Sequence, residues 1–534
     1  MKLKTNILST RNSASIAYTI VRSMSAFLVA LAPGVALAQA QNPIMFADVP
    51  DAAMIRVGNN YYMSSTTMHM NPGVPIMKST DLVNWKLINY AYDTLADVPE
   101  LNLTEGKSIY GRGSWASSLR YHKGMYYVST FAHDVPGETY IFKTKDIEKG
   151  NWQRASFKPA YHDGSLFFDD DGKAYLIHGA DVLKIVELND ELTGVKQSVP
   201  EKILIENASA PCGKNASLAA EGSQLFKVKG KYYLFNICAP ANWGMRTAII
   251  HRADNINGPW EGKVGLQDLG VAQGGLIDTP DGRWFAYLFR DFGAVGRIPY
   301  LVPVTWESGW PVLGDNGKVP EKLNLPASQG LIPNLVVSDE FNRKNGEEAL
   351  PLAWQWNHNP DNSLWSVSDR KGYLRLKTGR IDTDFLLARN TLTQRTIGPT
   401  SSASVVLDIS KMKDGDFAGL SAFQKEYGSV GVKVEREKKA IVMIATDKDK
   451  PVEAQRIALH QSKIYLKIDC DFTNKKDEAN FHYSLDGKVW KPIGETFKMK
   501  YTIPHFMGYR FALFNYATKN TGGYADFDWF RIKY

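Results

Sequence analysis

From residue 42 onward, short apolar or aromatic runs alternate with polar turns that contain glycine. Runs of this length with turn residues between them predict β-strands joined in hairpins. One hairpin phrase recurs five times, at Met54–Ser65, Leu119–Thr130, Leu166–Gly179, Leu225–Asn236 and Leu276–Phe289. Each copy is an apolar strand, a polar turn and a return strand anchored by an aromatic residue. The anchors are Tyr61, Tyr126, Tyr175, Tyr232 and Trp284, spaced by roughly fifty to sixty-five residues. A second phrase follows three of the hairpins, at Met77–Trp85, Phe142–Trp152 and His251–Trp260, where an apolar strand ends in a polar turn closed by an aromatic. Units of about four strands, repeated at this interval, are the pattern of a radial array of blades. Five units predict a five-bladed β-propeller. A series of unrelated hairpins in a sandwich gives no reason for the closing phrase to keep its place.

The stretch Gly296–Pro311 is expected to be a last strand that closes the ring. A Pro- and Leu-rich linker, Leu323–Pro333, then leads into a region without the blade phrase. From Val336 to Tyr534, strands such as Ser402–Ser410, Ile464–Phe472 and Ala525–Tyr534 follow one another in the manner of a β-sandwich. The expected fold class is therefore all-β, with a propeller over residues 41–328 and a C-terminal β-sandwich of jelly-roll type over 335–534. Residues 1–40 are expected to be an export signal. They begin basic and without acids, continue through the largely apolar Met24–Ala32, and offer Ala36-Leu37-Ala38 or Ala38-Gln39-Ala40 as a cleavage site. The apolar run is too short, and too broken by Pro33 and Gly34, to span a membrane. A periplasmic or secreted bacterial protein is the expectation.

Composition narrows the function without naming it. With 44% hydrophobic and 22% charged residues the chain is ordinary globular material. The net charge is +7, but Lys2, Lys4, Arg11 and Arg22 lie in the leader and the rest is scattered, so no nucleic-acid partner is expected. The three cysteines, Cys212, Cys238 and Cys470, are no disulfide framework. Cys212 and Cys238 either pair in an oxidising compartment or remain two buried thiols. Zinc spacing, a Gly-x-Ser-x-Gly elbow and a phosphate-binding Walker loop are all missing from the sequence.

The chemistry enters through the blade geometry. In a propeller the first strand of each blade lines the axis, and its leading end opens at one face. Counting back about ten to twelve residues from each anchor gives Asp51, Trp115, Asp163, Glu221 and Gln273. Three of the five are carboxylates, and like charges forced together in a partly buried site push their ionisations apart. Structural carboxylates usually sit at turns, as expected for Asp169-Asp170-Asp171-Gly172, here taken as a solvated hairpin turn rather than a calcium loop. A pair of carboxylates flanking a glycosidic bond is the equipment of glycoside hydrolysis, one protonated and one ionised. Trp115 offers an apolar face to a sugar ring.

The phrases Val49–Thr66, Asp163–Leu176, Ala220–Leu234 and Gly293–Trp306 together resemble glycoside hydrolase family 43, over nearly the whole chain after the leader. The resemblance implies a five-bladed propeller that inverts anomeric configuration and requires no cofactor for its chemistry. It implies Asp51 as the general base that activates water, Glu221 as the general acid, and Asp163 as the carboxylate that tunes and orients the acid. Arg297 matches an arginine that contacts sugar hydroxyls; an interblade salt bridge is the competing reading. Gln273 stands where many members carry a histidine. Asp51 lacks the following proline, and Trp115-Ala116-Ser117-Ser118 replaces a commoner Trp-Ala-Pro-Asp. Members of this architecture resemble β-xylosidases and α-L-arabinofuranosidases that release a terminal pentose from hemicellulose oligosaccharides. Their second domain often lends a loop to the pocket rim. Asp339, Glu340 and Asp528 are candidates for a structural calcium site, with edge-strand charges as the alternative. The runner-up function is a carbohydrate-binding protein whose site has decayed.

Overall fold

The computed structural model describes residues 39–534 apart from residues 331, 345, 449, 503 and 504. The expected export signal lies, through residue 38, outside the described residues. Among those described, no helix is long and apolar enough to cross a membrane.

The repeat builds five four-stranded antiparallel sheets, each with its strands in chain order. Their first strands are Ala53–Val57, Ser118–His122, Ser165–Phe168, Leu218–Val228 and Ala272–Asp278. In the five hairpins the aromatic anchors pair with Arg56, Tyr121, Phe167, Lys227 and Asp278 of the first strands, across shorter turns in the first, second and fourth blades and longer ones in the third and fifth. The recurring turn glycine has a conformational cause. Gly230, for example, sits at φ +80° with nothing within 4 Å of where a Cβ would be, so backbone conformation rather than space selects it. The closing phrase is also local chemistry. Asp81 Oδ1 accepts from the Val83 and Asn84 amides, Asp146 Oδ1 from Glu148 and Lys149, and Asn255 Oδ1 from Asn257. In these three blades the turn between the third and fourth strands is thus held by an Asp or Asn side chain.

Two expectations change. Gly296–Pro311 is not a separate closing strand; Arg297–Glu307 and the start of Trp310–Leu313 are the third and fourth strands of the fifth blade. The ring closes by packing, as Ile277, Phe285, Tyr287 and Leu301 of that blade share a core with Met54, Tyr61 and Met63 of the first. The Asp169 turn is also less solvated than expected. Asp169 is buried and accepts from Lys227 Nζ and Tyr232 Oη of the next blade, both at 2.7 Å.

The second half is a two-sheet β-sandwich. Its seven-strand path from Trp365–Ser366 to Lys491–Pro492 faces an eight-stranded sheet whose last member, Met70–Asn71, comes from the propeller. That strand pairs with Gln355–Asn357, so the two halves share a sheet. They also share a core, which joins Val295, Ile298 and Tyr300 of the fifth blade to Trp354, Leu513 and Phe527 of the sandwich. Cys212 and Cys238 are disulfide-bonded, and Cys470 is free and buried.

Candidate active site

The five first strands meet around a chamber of about 10 Å³, lined by residues 51–52, 116–117, 163–164, 222–224 and 273–274. That is room for about one water and not for a sugar, so the chamber is the floor of the site. The floor residue of each blade is 51, 116, 163, 222 or 273. Trp115 and Glu221, expected among the axial five, therefore stand one residue earlier, nearer the mouth. At Glu221 the count from the anchor missed this because the ladder shifts register on either side of that residue. A bulge of this kind re-aims a side chain.

Four of the five floor residues have left-handed backbone, Asp51 at φ +51°, Asp163 at +49°, Gly222 at +69° and Gln273 at +54°. Three of these are not glycine, and strain of that kind is concentrated at functional sites. Gly222 has a second constraint, since a Cβ there would lie 2.7 Å from Gln273 Cδ.

The three carboxylates differ in environment. Asp51 is buried, and Arg297 Nη1 donates to its Oδ1 at 2.8 Å and Oδ2 at 3.0 Å. Burial pushes its carboxyl up to about 6, Arg297 opposes the rise, and the negative charge of Asp163 adds to it. Asp163 is raised by burial, while His162 pulls the other way; its Oδ2 accepts from the Gly222 amide at 2.7 Å. The Glu221 side chain is 26% exposed, against 3% for Asp51 and 6% for Asp163. It is therefore the carboxylate a substrate reaches most readily.

Arg297 lies buried on Asp51, an ion pair between blades but inside the site. Its Nη2 donates to the Phe506 carbonyl at 3.1 Å. Phe506 belongs to the sandwich, and its ring stands 5.3 Å from that of Trp115 and 5.8 Å from the Arg297 guanidinium. This segment is the second-domain contribution to the rim that could not be located from sequence. Gln273 packs on Gly222 at the floor.

Two histidines were missed. His162 Nε2 lies 3.0 Å from Glu221 Oε2 and 3.7 Å from Asp163 Oδ2, and its Nδ1 is 2.9 Å from His133 Nε2. His162 had a signal, since it directly precedes Asp163. His133 follows the second strand of its blade and belongs to neither repeated phrase. The ligand-capable atoms of His162, Asp163 and Glu221 lie within 4.8 Å of one another, the one such cluster of three among the described residues. His162 and Glu221 already engage each other, so the arrangement is a hydrogen-bonded pair beside a carboxylate. The proposed calcium ligands do not converge, and each meets a cation of the chain. Asp339 binds Arg343, Glu340 binds Arg531 and Asp528 binds Lys463. Ion pairing within the sandwich accounts for all three.

A strained ring of axial residues with three carboxylates at one mouth, closed by a sandwich, is the construction of a glycoside hydrolase. Residues 40–311 match the model of glycosyl hydrolases family 43, and 338–533 that of the β-xylosidase C-terminal concanavalin A-like domain. The chain belongs to glycosyl hydrolase family 43. Among its relatives is a β-xylosidase of Formosa agariphila, 29% identical, over 92% of this chain and 90% of that one. A non-reducing end α-L-arabinofuranosidase of Bacteroides ovatus is 29% identical, over 63% of this chain and 64% of the other. The structure of a bifunctional GH43–CE protein of Bacteroides eggerthii superposes with a TM-score of 0.91 at 64% identity, over 93% of this chain. This chain spans 64% of that protein's length.

Proposed function

We propose that this exo-acting glycosidase releases terminal β-xylose or α-L-arabinofuranose from hemicellulose oligosaccharides with inversion. The reading rests on one observation above others: Asp51, Asp163 and Glu221 are gathered at one mouth of the propeller in three unlike environments. In this reading Asp51, ionised and held by Arg297, takes a proton from the attacking water. Glu221, the exposed member, protonates the leaving oxygen. Asp163 orients the acid through the Gly222 amide. Trp115 and Phe506 form an aromatic corner for a small sugar. The names of the relatives favour a pentose, and neither they nor the site support the non-catalytic alternative. Export to the periplasm or medium is proposed with it, and it accords with the disulfide between Cys212 and Cys238.

The decisive experiment is hydrolysis of nitrophenyl β-xyloside, α-L-arabinofuranoside and β-galactoside by the wild type and two variants. Activity on one or both pentosides is expected, and activity confined to the galactoside would overturn the sugar assignment. Glu221→Gln is expected to lose about 10²–10⁴-fold on unactivated xylobiose. It should be spared on aryl glycosides with good leaving groups, whereas Asp51→Asn should be impaired on both. Equal, mild losses in the two variants would remove the acid and base roles. Because the chemistry is assigned to side chains alone, dialysis against EDTA is expected to leave kcat unchanged. A loss restored by calcium would place a metal in the working enzyme.

A further inference from the structure

An acid that gives a proton to every leaving group must be reprotonated every turnover. In the inverting cycle proposed above, the water proton ends on Asp51 and the Glu221 proton leaves with the sugar alcohol. Asp51 must then lose a proton, and Glu221 must regain one. The two sites lie on opposite sides of the reacting bond, so resupply needs its own route.

The route lies beside Glu221. His162 Nε2 is within hydrogen-bond distance of Glu221 Oε2 at 3.0 Å, and no other protein group bonds to that carboxylate's side-chain oxygens among the described residues. On the far side of the ring, Nδ1 meets His133 Nε2 at 2.9 Å, with the two imidazoles stacked at 5.2 Å and 26°. Both rings are half-buried, and the His162 side chain, 28% exposed, is open to water. Phe131 packs edge-on against both imidazoles and walls the pair on one side. The charged and titratable groups around His162 are Glu221, Asp163 and His133, with His178 farther off. Behind His133 stands the Arg112–Asp134 ion pair at 2.6 Å. The same left-handed turn that sends Asp163 to the axis aims the preceding side chain, His162, at the acid.

We infer that His162 is the positioning residue and proton carrier of Glu221, and that His133 fixes the tautomer of the His162 ring. Resting on the assignment of Glu221 as the acid, the step balances as follows. The imidazolium of His162 passes its Nε2 proton to Glu221 Oε2 and becomes neutral. The ring keeps its Nδ1 proton, donated to His133 Nε2, and the vacated Nε2 takes its replacement from water at the mouth. Asp51 returns one proton to solvent, so the cycle gains and loses none. The neighbouring carboxylates support an imidazolium here, since Asp163 and Glu221 outweigh the cost of burial and hold the His162 ring protonated up to about 9.

The test is the pH profile of His162→Asn, which keeps a donor for Glu221 but no ring proton to give. Turnover of xylobiose is expected to fall about 10–100-fold, with the alkaline limb of kcat/KM moved to lower pH. Added imidazole should restore part of the rate, and dinitrophenyl xyloside should be nearly unaffected. His133→Gln, removed from the acid, should lower kcat while leaving kcat/KM close to wild type, because resupply follows the committed step. A wild-type alkaline limb in His162→Asn, or equal losses on every substrate with the limb unmoved and no imidazole rescue, would overturn the relay. Thermal melts of both variants identify misfolding, and if His162→Asn misfolds, a wild-type kcat in His133→Gln overturns it alone. The Glu221→Gln comparison separates the two levels: a failure there removes the acid assignment, whereas its success with unaffected histidine variants removes the relay only.

Discussion

Asp51 shows how one residue's surroundings set a working range. The proposed general base must be ionised, yet burial raises this carboxyl to about 6, and Arg297, with a smaller contribution from Arg246, keeps it from rising further. The sign is direct: as pH falls through 6, Asp51 takes up a proton and cannot accept one from water. The acid limb of kcat/KM is therefore expected near pH 6 in the free enzyme. Arg297→Met removes the counter-charge and should move that limb to higher pH, so activity at pH 6 falls further than at pH 8. A limb unmoved in the variant would mean that the ion pair does not set the base. The disposition of Arg297 also explains why its sequence reading stayed divided between sugar contact and interblade salt bridge. The residue lies between blades and within the site, because Asp51, the proposed base, sits on the neighbouring blade.

At the scale of the element, the first strand of the fourth blade carries most of the site's geometry. Leu218–Val228 is one of the two longest strands of the propeller, and its register shifts on both sides of Glu221. The shift turns Glu221 toward the mouth and leaves Gly222 to occupy the axial slot. Gly222 then does three things at once. It takes φ +69°, clears the Gln273 side chain, and donates its amide to Asp163. Gly222→Ala should cost about 1–3 kcal/mol from the left-handed backbone alone, measured by denaturant unfolding. It should also lower kcat as Asp163 is displaced. Unchanged stability would show that the strand relaxes without the bulge. The glutamate–glycine dipeptide is legible in the sequence as a motif, but the one-residue offset is not, because a count of residues carries no record of register shifts.

For the whole molecule, the junction between propeller and sandwich is more than a tether. His69 of the propeller and His358 and His505 of the sandwich pack as a group with Tyr110, with ring centroids 4.6–5.5 Å apart. Burial pushes all three imidazoles below their ordinary range, His505 to about 3. His505 adjoins Phe506, so this cluster also supports the rim of the site. An unfolded chain binds protons at these positions near pH 6.5, whereas the folded chain keeps them neutral. Their contribution to stability is therefore complete above pH 6.5 and is lost as pH falls below it. Buried carboxyls such as Asp51 and Asp416, raised to about 6, oppose part of this loss. His251, pushed down to about 4, adds to it. The melting temperature is expected to be lower at pH 5 than at pH 7. A flat profile would mean that the junction imidazoles are protonated in the folded chain.

The alternation of apolar and polar positions, the recurring glycine and the aromatic anchors were enough to specify an all-β chain of five blades and a sandwich. These features act locally: a turn needs a left-handed residue, and a blade needs a buried face on each strand. The same local repetition placed Asp51, Asp163 and Glu221 near one axis before any geometry was known. What the sequence does not contain is the outcome of contacts between distant segments. Arg297 reaches Asp51 across 246 positions, Phe506 enters the rim from the sandwich, and Met70–Asn71 completes a sheet of the other half. His133 and His162 meet through neighbouring blades rather than through any phrase. Local preferences select strands and turns, whereas the partners of a buried charge are chosen by which surfaces the finished fold brings together.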